Sequence, residues 1–192
     1  MTPNDNADMT QPARHAAQTT DNQQELFDVV SETDEVIGQT VRGQAHRDPR
    51  LIHRSVQILV FNQQGELLLQ RRSASKDLFP GYLCASASGH VASGDDYAMT
   101  AAREIGEELG VAPTLTYLGK TFVRTPEETE ITGVFVAHHD GPFRFHPIET
   151  QGGAFFTLAA IAQGRAAGAL PLTPAFLAAF DLYLALGSPA AG

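Results

Sequence analysis

The segment Arg103-Glu104-Ile105-Gly106-Glu107-Glu108-Leu109-Gly110 constrains this chain more than any other. Asp95 or Asp96 can cap a helix from about Tyr97 to Leu109, and Gly110 can end it. On such a helix Glu104, Glu107 and Glu108 stand at i, i+3 and i+4 and share one face. Three like charges within one turn repel each other, and a hard divalent cation bound through oxygen is their natural partner. That cation can also grip phosphate oxygens and lower the pKa of a bound water. Arg103 is placed to orient one of the carboxylates. A solvated acidic helix end would carry the same residues without any chemistry, so the segment has to be read in context.

The 192 residues suit one domain with a sizeable core, and 43% hydrophobic residues is ordinary for a globular protein. Residues 1–24 have almost no large apolar side chains to offset ordering entropy, which predicts a disordered tail before a domain over 25–187 and a short tail at 188–192. A hairpin is expected from Leu26–Val30 and Val36–Gly38. The apolar run Val56 to Phe61, a turn at Asn62–Gly65 and Leu67–Leu69 predict two buried strands. Further strands are expected at Leu115–Val123, Ile131–Ala137 and Ala154–Phe156. Thr157 can cap a helix through Gln163, and Thr173-Pro174 can open one from Ala175 to Leu186 that reads as core or as a homodimer face. This irregular mixture points to a mixed sheet between helices rather than a doubly wound parallel fold.

The net charge of -9 disfavours nucleic-acid polymers and anionic membranes, while leaving room for a small anion in a locally basic cleft. The single cysteine, Cys84, excludes an internal disulfide. The polar N-terminus has no secretory pattern, and no stretch approaches the roughly 18 apolar residues of a membrane span, so a cytoplasmic protein is expected.

Gly89, five residues, Asp95, seven residues, Arg103-Glu104-Ile105, one residue, Glu107-Glu108, one residue and Gly110-Val111 resemble the Nudix box, G-x5-E-x7-R-E-U-x-E-E-x-G-U with U aliphatic. Asp95 stands where the family has Glu, one methylene longer. The resemblance implies a Nudix fold, an α/β/α sandwich with a mixed β-sheet. It also implies Mg2+ or Mn2+ held by Glu104, Glu107 and Glu108, and attack by water on a phosphorus of a small diphosphate compound.

His53-Arg54-Ser55, Gln70 to Lys76, Phe79-Pro80-Gly81 and Ser88-Gly89-His90 are similar to the branch that contains type 1 isopentenyl-diphosphate isomerase and isomerase-like Nudix hydrolases. The resemblance implies a second cation, Zn2+ or Mn2+, on His46, His53, His90, Glu128 and Glu130. It also implies that Arg72 and Lys76, joined by Arg42, face the substrate diphosphate. Isomerase chemistry needs a cysteine where this chain has Ser88, a poor acid-base group without an activating partner. Together with the nearly complete box, this favours hydrolysis over isomerisation. A non-catalytic diphosphate-binding module is the third reading. Phe79, Phe122, Phe155 and Phe156 are read as core aromatics before base-stacking ones.

Overall fold

The structure, a computed structural model, describes residues 19–187; the tail expected at 188–192 and the first 18 residues lie outside them. Its elements run β1 (Leu26–Val30), β2 (Val36–Val41), α1 (Arg42–Ala45), β3 (Ile52–Phe61), β4 (Leu67–Arg72), β5 (Leu83–Cys84) and β6 (Ala87–His90). They continue with α2 (Tyr97–Leu109), β7 (Thr116–Arg124), β8 (Thr129–His138), β9 (Thr150–Phe156), α3 (Leu158–Ala166) and α4 (Pro174–Ala185).

The main sheet has the order β5-β4-β3-β8-β7, with β6 added to β3 and β9 to β4, while β1 and β2 form a separate hairpin. Among the described strands only the β3–β8 pairing is parallel, so the sheet is mixed, as expected. β3 is buried along nearly its whole length because both of its faces are covered. Val56, Ile58 and Val60 pack with Ala101, Ile105 and Leu109 of α2 on one side. Leu59 and Phe61 pack with Phe176, Ala179 and Phe180 of α4 and Ile161 of α3 on the other. This is an α/β/α sandwich, and the period of two along β3 decides which side chain enters which layer.

The helix signals are used much as read. Asp96, rather than Asp95, caps α2 by accepting from the Met99 N–H at 2.8 Å. Gly110, at φ 70°, closes the helix in the left-handed region that glycine adopts without strain. Thr157 and Thr173 cap α3 and α4.

Three differences shape the site. First, β3 and β4 are not a long hairpin; they pair only at Phe61–Leu67. β6, from the small-residue stretch, takes the β3 edge instead, setting Ser88 beside Gln57 and His90 beside Ser55. Second, β9 starts at Thr150, earlier than its apolar end suggests. Third, the tail boundary expected at residue 24 falls earlier. Thr20 N–H donates to Ser75 O at 3.2 Å, and Asp21 pairs with Lys76 at 2.6 Å. Polar pairing, rather than apolar burial, holds these residues, and a composition argument does not register it. No helix among the described residues is long and apolar enough to cross a membrane.

Candidate active site

The α2 carboxylates reach one cavity together with Arg103. Glu108 is buried and accepts from Gln70 Nε2 at 2.6 Å and from Ser88 N–H at 3.3 Å. Arg103 Nη1 bridges Glu104 Oε1 at 2.9 Å and Glu107 Oε2 at 3.2 Å. Gly89 is required by contact: a Cβ there would lie 2.2 Å from Glu104 Cδ. Burial pushes the Glu104 carboxyl up to about 7 and Glu108 up to about 8, with Glu107 adding to the effect at Glu104 and Glu104 adding to it at Glu108. A cation entering here must therefore displace protons. Asp95 lies before α2 and does not line the cavity; its charge acts on Arg103.

The second set comes from four parts of the chain. His46 follows α1, His53 is on β3, His90 ends β6, and Glu128 and Glu130 flank the start of β8. Parallel pairing sets His53 in register with Glu130. Ligand atoms of His46, His53, His90 and Glu128 all lie within 4.8 Å of one another. Glu130 Oε1 joins them at 3.4 Å from His90 Nε2 and 3.9 Å from His53 Nε2. Phe27 of β1 backs the cluster, stacked on His90 at 4.8 Å and on His53 at 5.3 Å between ring centroids.

Outer contacts decide the ring tautomers. His46 Nδ1 meets Asp77 at 2.8 Å, which leaves its Nε2 as an acceptor facing His90 Nε2 at 3.2 Å. Arg42 Nη1 lies 3.2 Å from His90 Nδ1, and a guanidinium only donates. Neutral His90 thus carries its proton on Nε2, and a cation bound there requires that proton to leave. Burial pushes His53 down to about 3 and His90 well below the usual range, so both rings are neutral. Burial, then the neighbouring Glu130, raises Glu128 well above the usual carboxylate range. His53 Nε2 and Glu128 Oε2 are buried with no hydrogen-bond partner among the described residues. Orphaned nitrogen and oxygen atoms facing one another are a donor set that fits a divalent cation.

Both clusters open into a cavity of about 730 Å³, which Arg42, Arg72 and Lys76 also line. All three cations already have partners. Arg72 donates to Leu78 O at 2.9 and 3.1 Å. Arg42 binds Asp77 at 3.0 Å and lies 3.6 Å from Asp21. Lys76 pairs with Asp21 and Glu149. The Asp21 carboxylate thus sits between Arg42 and Lys76.

Residues 51–176 match the NUDIX domain family model. The chain belongs to the Nudix superfamily. It is 38% identical to an uncharacterized Nudix hydrolase of Pseudomonas aeruginosa, over 83% of this chain and 94% of that protein. It is 33% identical to an isopentenyl-diphosphate Delta-isomerase of Streptomyces avermitilis, over 73% of this chain and 75% of that protein. A crystal structure from Deinococcus radiodurans superposes with a TM-score of 0.66 at 34% identity, covering 75% of this chain and 90% of that one.

This Nudix domain has Ser88 where the resemblance to the isomerases implies a cysteine. Ser88 lines the cavity. Cys84 lines it too, but burial pushes its thiol up to about 11, far from a working acid-base group at neutral pH. Phe122 lies exposed on edge strand β7, and Arg124 beside it pairs with Glu32 at 3.5 Å; neither lines the cavity. Phe79 packs on Tyr82, while Phe155 and Phe156 join the two cores. Sequence reading missed Gln57, Gln70, Asp77 and His146, all of which line the cavity. A period of two carried on from His53 reaches Gln57, and carried back from Arg72 reaches Gln70; nothing local signals Asp77 or His146.

Proposed function

We propose that this Nudix protein hydrolyses the diphosphate linkage of a small organic diphosphate, with Mg2+ or Mn2+ held by Glu104, Glu107 and Glu108. The observation that carries the reading is the meeting of these carboxylates with Arg42, Arg72 and Lys76 around one cavity, with Glu108 turned inward by Gln70. The cations neutralise the diphosphate and hold it against the carboxylates. Arg103 fixes the mutual position of Glu104 and Glu107. A water oxygen attacks phosphorus, the bridging P–O bond breaks, and the leaving phosphate departs as an anion. A divalent cation at Glu104, Glu107 and Glu108 supplies charge neutralisation for the phosphoryl oxygens and a more acidic water. His46, His53, His90, Glu128 and Glu130 would hold a second cation, Zn2+ or Mn2+, with Asp77 orienting His46.

The test is a panel of diphosphates with Mg2+ and Mn2+, scored separately for phosphate release and for solvent deuterium incorporated at an isoprenoid carbon. Release should depend on the cation, and Glu107→Gln and Glu108→Gln should lower it by about 100-fold or more while the protein stays folded. Wild-type turnover in both variants ends the reading. The histidine cluster favours isomerisation; deuterium exchange without phosphate release would establish it.

A further inference from the structure

Along β3, Ser55 and Gln57 line the cavity, and the same face turns apolar at Leu59 and Phe61. Gln57 is therefore the last polar group on the cavity floor before the core begins. It is 6% exposed, and its Oε1 is buried with no hydrogen-bond partner among the described residues. An amide in this position is destabilising as it stands, because a leucine would continue the core without an unmade hydrogen bond. His146, on the same cavity, repeats the pattern with a buried, unpartnered Nδ1.

The cavity walls narrow the choice of partner. Among the described residues lining it there is no Phe, Tyr, Ile, Val or Met, and the larger apolar contributions come from Leu78, Cys84 and Ala175. A nucleobase would find no phenyl, phenol or indole face to stack on, and a prenyl chain no apolar slot to fill. A hydroxyl both donates and accepts, so it serves a glutamine carboxamide whichever way the amide is turned.

We propose that Gln57 is a specificity-determining residue that reads a hydroxyl on the non-phosphate half of the substrate, and that this half is a sugar or polyol. The inference rests on the diphosphate reading above and adds the chemistry of the second group. It predicts that affinity follows hydroxyl content once the diphosphate is held constant.

Binding is measured by calorimetry on the full chain with Mg2+, using methylene-bridged, non-hydrolysable diphosphate analogues of ribose, glycerol, isopentenol and methanol. Ribose or glycerol analogues should bind at least about 10-fold tighter than the isopentenyl and methyl ones, the worth of one good hydrogen bond. The better of the two distinguishes a sugar from a polyol. Gln57→Leu should remove that preference while leaving affinity for the methyl analogue and the bound-cation content unchanged. The proposal is overturned by tighter binding of the isopentenyl analogue to the wild type, or by an unaltered preference in the variant. A fall in cation content in Gln57→Leu also overturns it, by making Gln57 a ligand. Because binding is read without turnover, failure of hydrolysis would count against the diphosphate hydrolase reading and leave this one separately decided.

Discussion

Gly89→Ala is the sharpest probe of the box, because the structure states what the added methyl meets. The new Cβ would lie 2.2 Å from both Glu104 Cδ and Oε1 and 2.7 Å from Cγ. Ordinary contact begins near 3.4 Å, so the carboxyl end must retreat by about 1.2 Å. The obstructing atoms are the far end of one side chain, and the backbone of β6 at Gly89 needs no left-handed conformation. The fold should therefore survive, with a melting midpoint within about 3 °C of the wild type. Catalysis should not, since a displacement of about 1 Å at a positioned group costs roughly 100-fold in rate. The assay is phosphate release against Mg2+ concentration, with the melting curve taken on the same samples. Turnover within about 3-fold of the wild type in a folded variant would refute the claim that Glu104 must stand where it does. If Gly89→Ala fails to fold, the double variant Gly89→Ala with Glu104→Ala should melt normally, because the clash is confined to that side chain.

Four further outcomes follow from the same geometry. Gln70→Leu removes the donor that turns Glu108 inward and should weaken Mg2+ binding by about 10- to 100-fold, measured by calorimetry. With Glu104 raised to about 7 and Glu108 to about 8, Mg2+ affinity should climb as pH rises through that window, falling about 10-fold per unit and per proton displaced below it. The stability of the cation-free chain should run the opposite way: the raised carboxyls contribute fully below their unfolded value of 4.5 and that contribution is lost as pH climbs through about 7 and 8, which melts in a chelating buffer will reveal. Asp21→Ala removes one of the two carboxylates paired with Lys76 and should lower KM for a diphosphate several-fold with kcat unchanged; an unchanged or higher KM would mean that Asp21 does not compete with substrate.

Local order was legible wherever one short stretch carries its own reason for a conformation. The Asp96 cap, the left-handed Gly110 and the 3.6-residue period of the glutamates lie within one helix, so α2 could be drawn from sequence. The apolar run of β3 and the Thr157 and Thr173 caps belong to the same class. Where strands are short and rich in small residues, as in β5 and β6, propensity is weak and only the edge they join makes them strands.

By itself the sequence determined the box: which carboxylates share a helical turn, and that they need a counter-charge, because that geometry is local. The resemblance named a set of histidines and glutamates, but tertiary structure decided how His46 after α1, His53 on β3 and His90 on β6 meet the carboxylates at the start of β8. It also decided that Asp21 lies on Lys76 and that Gln57 faces the cavity without a partner. Those are matters of strand register and burial between distant segments. Such contacts form only after the sheet has closed, and no stretch of chain encodes them on its own.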